Sequence, residues 1–379
     1  MSSSAFDFKK FAVSLVKFLL FFAVGFGILY FVYQNQEAAY QKECSFKLEY
    51  DCNGKCVEKS LLGKLFSDFA SADIFWLFMV CVAFMISNLS RALRWNMLIR
   101  QLEGGKYNPK WYNAFLTIMI GYFVNLALPR AGEFARPASM SQYEKLPLDK
   151  LIGTIVTDRI MDVLMLLLVL GITFLLQFQN IINFLNGSVV ETTKCNLPVP
   201  EVSKTASLPI GTILLVLFLL GLITLLILIS QRKKLMKLSI YKKIEGMVLN
   251  FAEGIKTIFT LRKKDLVWFW IHTVIIWLMY FTMTYLSFFA YKPTIGLDMT
   301  AALLVFAFGT LAILIPSPGG MGTHQLATTA ALVVCGIAKA DAFAFANIMF
   351  FTVNFFCSVI FGLLAYMLLP ILNSKRKSQ

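Results

Sequence analysis

Long apolar runs separated by short polar stretches fill the chain, at about residues 11–33, 73–90, 111–128, 152–177, 208–230, 265–291, 299–316, 323–338 and 341–370. A bilayer core about 30 Å thick takes about 20 apolar residues per helix, so the pattern predicts transmembrane helices along the whole chain. Two places interrupt it. Leu128-Pro129-Arg130-Ala131-Gly132-Glu133 ends the third run, and Ile315-Pro316-Ser317-Pro318-Gly319-Gly320-Met321-Gly322 divides two short arms in the second half. Proline removes a backbone donor, and irregular backbone at membrane depth survives only where protein or a polar cavity satisfies it. The breaks therefore favour re-entrant helical hairpins, although parity alone also accepts two full crossings at the second one.

Basic residues give the expected topology. Lys9 and Lys10 open the chain, Lys375, Arg376 and Lys377 close it, the segment 231–264 holds ten Lys and Arg, and Arg91, Arg94, Arg100, Lys106 and Lys110 follow the second run. Positive residues stay on the cytoplasmic side, so both termini are expected there and the number of crossings is even. The fold class expected is an all-α polytopic membrane protein with about six crossings plus two hairpins. Each half, 11–177 and 208–370, then reads span, span, hairpin, span, with corresponding segments about 190 residues apart. An odd number of crossings per half makes this an inverted repeat within a single membrane domain, 1–379, a pattern that points to a binding site at the bilayer midplane.

Composition agrees: 58% of residues are hydrophobic and only 15% charged, against about 25% charged in soluble domains. The net charge of +14 would suggest nucleic acid in a soluble protein. Here it collects beside apolar runs, where it also attracts anionic lipid, and no nucleic-acid partner is expected. The run Phe18–Val32 behind Lys17 resembles a secretory signal, but no small-residue cleavage site follows, so it is read as an uncleaved span. Cys44, Cys52, Cys56 and Cys195 fall in polar loops and are disulfide candidates if those loops face an oxidising compartment, whereas Cys81, Cys335 and Cys357 lie in apolar runs as packing residues. The spacing of Cys52 and Cys56, with no histidine near them, does not make a metal site, and none is expected. The chain has no P-loop, G-x-S-x-G elbow, H-E-x-x-H pair or dinucleotide fingerprint, so no cofactor is expected.

Charges inside apolar runs carry the functional expectation, because an ionised group facing hydrocarbon costs about 2.5–3.5 kcal/mol. Arg130, Glu133 and Arg136 surround the first break, where a guanidinium fork suits a phosphate and Glu133 would orient the arginines; ordinary loop charges are the alternative, but Pro129 and Gly132 mark a shaped turn and Asn125 adds a polar group inside the arm, which favours function. Asp158 and Asp162 share a face of the next helix beside Arg159. Asp162 lies roughly 15 Å into that helix, deep enough to need a partner, for which Arg130 or Arg136 are candidates; either acid could instead carry a proton. At the second break Pro316, Pro318, Gly319, Gly320 and Gly322 free backbone groups before His324, which is expected to be a buried, hydrogen-bonded histidine or a head-group contact. Arg91 and Arg94 are read as cytoplasmic head-group contacts, and His272 as a packing residue.

Taken in order, Arg91-Ala92-Leu93-Arg94-Trp95, the first break with Arg136, Asp158-Arg159 with Asp162, and the Pro316–Gly322 turn resemble the lysylphosphatidylglycerol synthase transmembrane-region family, also called flippase-like, over about residues 70–370. Asp158 stands where that family often has Glu, and Gln325 where an acid often follows the Gly-rich turn. The resemblance implies a lipid-handling protein of the cytoplasmic (inner) membrane of a prokaryote. In the best-known relatives this region moves aminoacylated phospholipid between leaflets, and a C-terminal domain transfers an amino acid from charged tRNA to lipid. This chain stops at Gln379, so that synthase activity is not expected. The leading expectation is a lipid translocase for an anionic or zwitterionic phospholipid. A membrane-embedded lipid- or glycolipid-modifying enzyme using Asp162 and His324, and a non-transporting partner subunit, are the alternatives. Assembly as a homo-oligomer is left open.

Overall fold

A computed structural model describes residues 60–185 apart from 129, residues 262–374 apart from 313, 314, 316, 318 and 319, and a few single positions between 27 and 41. Most of the run 11–33, all of the run 208–230, nearly all of the basic segment 231–264, the four loop cysteines Cys44, Cys52, Cys56 and Cys195, and Pro129, Pro316, Pro318 and Gly319 lie outside the described residues.

Every regular element described is helical: α1 (Leu61–Ser71), α2 (Ile74–Arg100), α3 (Trp111–Ala127), α4 (Gly132–Glu144), α5 (Leu148–Leu185), α6 (Lys263–Ala290), α7 (Met299–Ala312), α8 (Thr323–Val334), α9 (Lys339–Phe350) and α10 (Ser358–Leu372). One π-helical turn, Phe351–Cys357, joins α9 to α10 in a continuous rod. Among the described residues, four helices are long and apolar enough to cross a membrane: Ile74–Arg100, Leu148–Phe178, Lys263–Ala290 and Lys339–Leu372. The chain is an all-α polytopic membrane protein. Helix α2 demonstrates why. Phe75, Phe78, Val82, Ile86 and Leu89 form an exposed stripe at helical spacing, while Ser87, Asn88, Ser90, Arg91, Arg94 and Asn96 are buried. A soluble helix has the opposite arrangement, and only a lipid solvent favours an apolar exterior around a polar interior.

Two pairs of helices too short to cross fold back on themselves. Helices α3 and α4, of 17 and 13 residues, pack side by side across the first break; α7 and α8, of 14 and 12 residues, do so across the second. Helix α4 is polar and absent from the list of apolar runs, so its regular structure emerges only in the fold. The most extensive helix contact is α2 on α6, while α3 packs on α10 and α7 on α5. One apolar core surrounds Trp95, Met119 and Met140, and a second surrounds Phe288, Leu304 and Phe345. In the first, Cys357 at the π turn donates to Cys81 of α2, the sulfurs 3.2 Å apart and not joined as a disulfide.

Polar contacts clasp both ends of the bundle. At the Arg100 end, Glu144 accepts from the Lys110 backbone N–H at 3.0 Å and from Asn113 at 2.6 Å, and Asn113 donates to Asn373 at 3.1 Å. Outside the spans at this end, Glu103 binds Lys150, Lys106 and Tyr107, which hold its carboxyl down to about 2. At the opposite end the Asp73 N–H donates to the Ala290 carbonyl at 2.9 Å. There Lys64 of α1 bridges Asp68 and Asp341, at 2.5 and 2.6 Å.

Candidate functional site

The first hairpin is shaped by a backbone contact. The Gly132 N–H donates to Asn125 Oδ1 at 2.7 Å, and a Cβ on Gly132 would stand only 2.0 Å from the Gly121 carbonyl oxygen. Glycine is therefore required for α4 to lie this close to α3. The contact sets Glu133 and Arg136, in the first turns of α4, beside Tyr122 and Asn125 in the last turns of α3. Arg130 occupies the turn itself, exposed and with φ +62°.

Four arginines and three carboxylates meet between this hairpin, α2 and α5. Arg94, fully buried, donates through Nη2 to Asp158 Oδ1 at 2.6 Å and to Asp162 Oδ1 at 2.8 Å, and through Nη1 to Thr273 Oγ1 at 3.3 Å. Arg91 donates to Asp162 Oδ2 at 2.9 Å and to the Tyr280 hydroxyl at 3.0 Å. Arg159 bridges Glu133 Oε1 at 3.3 Å and Asp162 Oδ2 at 3.4 Å. Arg136 reaches Asp158 Oδ2 at 3.4 Å through Nη1 alone. Its guanidinium carbon stands 3.8 Å from the centroid of the Trp95 ring, whose indole N–H is held by Thr154 at 2.9 Å. Its Nε and Nη2, both buried, have no hydrogen-bond partner. An unmade hydrogen bond on a buried polar group costs about 1–3 kcal/mol, and more for a charged one. The arginines exceed the carboxylates by one, so the cluster as a whole is suited to gain one negative charge.

A small, half-open pocket adjoins this cluster and is lined by Arg91, Arg136, Arg159, Glu133, Tyr122 and Asn125 among others. Arg159 and Glu133 are partly exposed, with side-chain exposures of 43% and 36%. Phe134, Val156 and Val163 flank these two residues in sequence and are exposed apolar side chains. A small polar pocket thus lies beside exposed apolar side chains.

The expectations from sequence fare unequally. Arg136, Glu133, Asp158, Arg159 and Asp162 do converge. Asp162 sits about 21 Å along α5 from Leu148, counting helical rise, yet its partners are Arg91, Arg94 and Arg159 rather than Arg130 or Arg136. Arg91 and Arg94 correct the expectation of cytoplasmic head-group contacts: α2 continues ten residues past Ser90, so both lie inside the helix at 4% and 0% exposure. Their charges lowered the local hydropathy and hid the continuation. Arg130 is absent from the pocket lining. Tyr122, Tyr280, Trp95 and Thr273 were not anticipated; a signal was available in the spacing, since Arg91 and Arg94 share one helix face as Asp158 and Asp162 share another.

In the second hairpin, Gly320 and Gly322 have φ of +84° and +80°. The Gly322 N–H donates to Gln325 Oε1 at 2.7 Å, and Ser317 and Thr323 hydroxyls lie 3.1 Å apart. His324 is buried against α9, its ring centroid 5.9 Å from that of Phe350. Its Nδ1 has no partner, contrary to the expected hydrogen bond. His272 is buried near the start of α6.

Helices with apolar exteriors around a buried ionic cluster and a small polar pocket define a polytopic membrane protein with a polar interior. The family model for the Lysylphosphatidylglycerol synthase TM region matches residues 57–362, and the chain belongs to that family. Comparison with curated proteins and with solved structures gave no match.

Proposed function

We propose that this protein is a lipid translocase in which the pocket at the tip of the first hairpin holds the phosphate of a phospholipid head group. The observation that carries this reading is Arg136: buried, stacked on Trp95, lining the pocket, and with two of its three guanidinium nitrogens unpaired. A phosphate oxygen supplies the missing acceptors and the missing negative charge together, and the bidentate match of guanidinium to phosphate gives the site its geometry. Arg91 and Arg159 complete the pocket wall, while Asp158 and Asp162 keep the arginines in place before a lipid arrives. Tails stay beside Phe134, Val156 and Val163 in the surrounding lipid.

The packing supports an inverted repeat as the basis of transport. Helix α2 pairs with its counterpart α6, and each hairpin's first arm packs on the last span of the other half, α3 on α10 and α7 on α5. Both returning arms, α4 and α8, begin at a hairpin tip, so both direct a helix N-terminus into the interior, where a negative group is favoured. In this reading the hairpins are re-entrant, the basic stretches and both termini are cytoplasmic, and the protein works in the inner membrane of a prokaryote. The enzyme alternative finds less support, because Asp162 is engaged by Arg91 and Arg94 while His324 lies against Phe350.

Purified full-length protein in liposomes, with acyl-labelled fluorescent phospholipids and an impermeant quencher, tests the reading. Wild type is expected to exchange lipid between leaflets, and Arg136→Gln to be slower by about 10–100-fold, as for loss of charge-assisted hydrogen bonds worth about 1.5–3 kcal/mol. Unchanged exchange in a folded Arg136→Gln protein, or none by wild type across phospholipid classes, overturns it.

A further inference from the structure

The second hairpin repeats the construction of the first with the charges removed. Gly309 stands as far along the chain from Gly121 as His324 does from Arg136. The two pairs also occupy matching places: each glycine lies on the arm that enters the hairpin, and each partner lies in the first turns of the arm that returns. A Cβ on Gly121 would stand 3.5 Å from Arg136 Cβ, and one on Gly309 would stand 3.4 Å from His324 Nε2 and 3.5 Å from Thr328 Oγ1. Arg136 lies over Trp95, and His324 lies beside Phe350.

The chemistry at the second position differs. Helices α7 and α8 contain no Asp, Glu, Lys or Arg. Instead, four neutral groups on the first two turns of α8 are buried without partners: His324 Nδ1, Gln325 Nε2, Thr328 Oγ1 and Thr329 Oγ1, in residues 5%, 0%, 1% and 3% exposed. At 100° per residue they span one side of the helix. Each is a group that needs a hydrogen-bonding partner when buried.

From this we infer that α8 carries a second, uncharged binding site, which takes a neutral polyol head group, a glycerol or hexose borne on a lipid. Hydroxyl groups donate and accept, as the two threonines do, and the amide Nε2 adds a donor. With no cation on either arm, a phosphate would find no neutralising partner on them, and hence the two hairpins divide the work between a charged and an uncharged head-group moiety. The inference concerns binding and holds whether or not the lipid then crosses.

The test uses purified full-length protein in detergent and counts retained ligand by native mass spectrometry with monoglucosyl diacylglycerol, diacylglycerol or free glucose as the probe. Wild type is expected to retain the glycolipid at least tenfold more than diacylglycerol. Thr328→Val/Thr329→Val, which keeps shape and removes both hydroxyls, is expected to reduce glycolipid retention at least tenfold, and Arg136→Gln to leave it unchanged. Equal retention by wild type and the double variant, or no retention by wild type, overturns the site and leaves these groups hydrated. Free glucose retained as well as the glycolipid overturns the assignment to a lipid. A diazirine on the glycolipid head group gives a second measurement on the unmodified protein: labelling within 323–334 supports the site, and labelling confined to 132–144 refutes it. Lipid exchange that proceeds without glycolipid retention through these threonines counts against this inference alone and leaves the translocase reading standing.

Discussion

Arg94→Leu is expected to cost about 3–5 kcal/mol of stability, the range for breaking a buried ion pair by removing one partner. Arg94 is fully buried and makes the shortest contact to Asp158, itself fully buried, while also holding Asp162 at 2.8 Å. Its loss leaves two carboxylates in the interior with fewer cations. Arg91 and Arg136 reach Asp158 only at 3.6 and 3.4 Å, too far to take over the short bond. The readout is the yield of monodisperse protein in detergent and its melting temperature, both expected to fall sharply. Arg94→Leu/Asp158→Leu is expected to regain most of the loss, because the excess of one positive charge in the cluster is restored. A single variant that melts with wild type would mean that the ionic cluster does not hold α2, α5 and α6 together.

Gly132→Ala is the second large effect. The added methyl carbon would fall 2.0 Å from the Gly121 carbonyl oxygen and 2.7 Å from Asn125 Oδ1, so α3 and α4 must move apart. Overpacking of this kind costs about 1–3 kcal/mol. The functional loss is expected to be larger than the loss in stability, since Gly121, Asn125, Gly132 and Arg136 all line the pocket; leaflet exchange should fall more than tenfold. Gly153→Ala is the matched control. Nothing lies within 4 Å of a Cβ there, and alanine improves a helix interior by up to about 1 kcal/mol. Equal behaviour of the two variants in the exchange assay would show that the close approach of the hairpin arms does not shape the site.

Lipid solvation lies close to the surface of the sequence. Apolar runs of bilayer length, the two breaks rich in proline and glycine, and the shared face of Asp158 and Asp162 are all local properties, set by hydropathy over a window and by helical period. These identified the four long helices described, both turns, and the α5 half of the ionic cluster. They also pointed to the family through ordered residues along the chain.

Pairing between helices was decided only by the tertiary structure. Helical period reveals which residues of one helix share a face, but not which other helix meets that face. Asp162 is therefore expected to pair with Arg130 or Arg136, and instead meets Arg91 and Arg94 of α2 together with its neighbour Arg159. A buried, neutralised arginine also lowers hydropathy as much as an exposed one, so α2 read as ending at Ser90 although it runs to Arg100. For the same reason the returning arm α4 does not register as an apolar run: its Arg136 is sheltered at a site that exists only once α3, α5 and α2 are assembled around it.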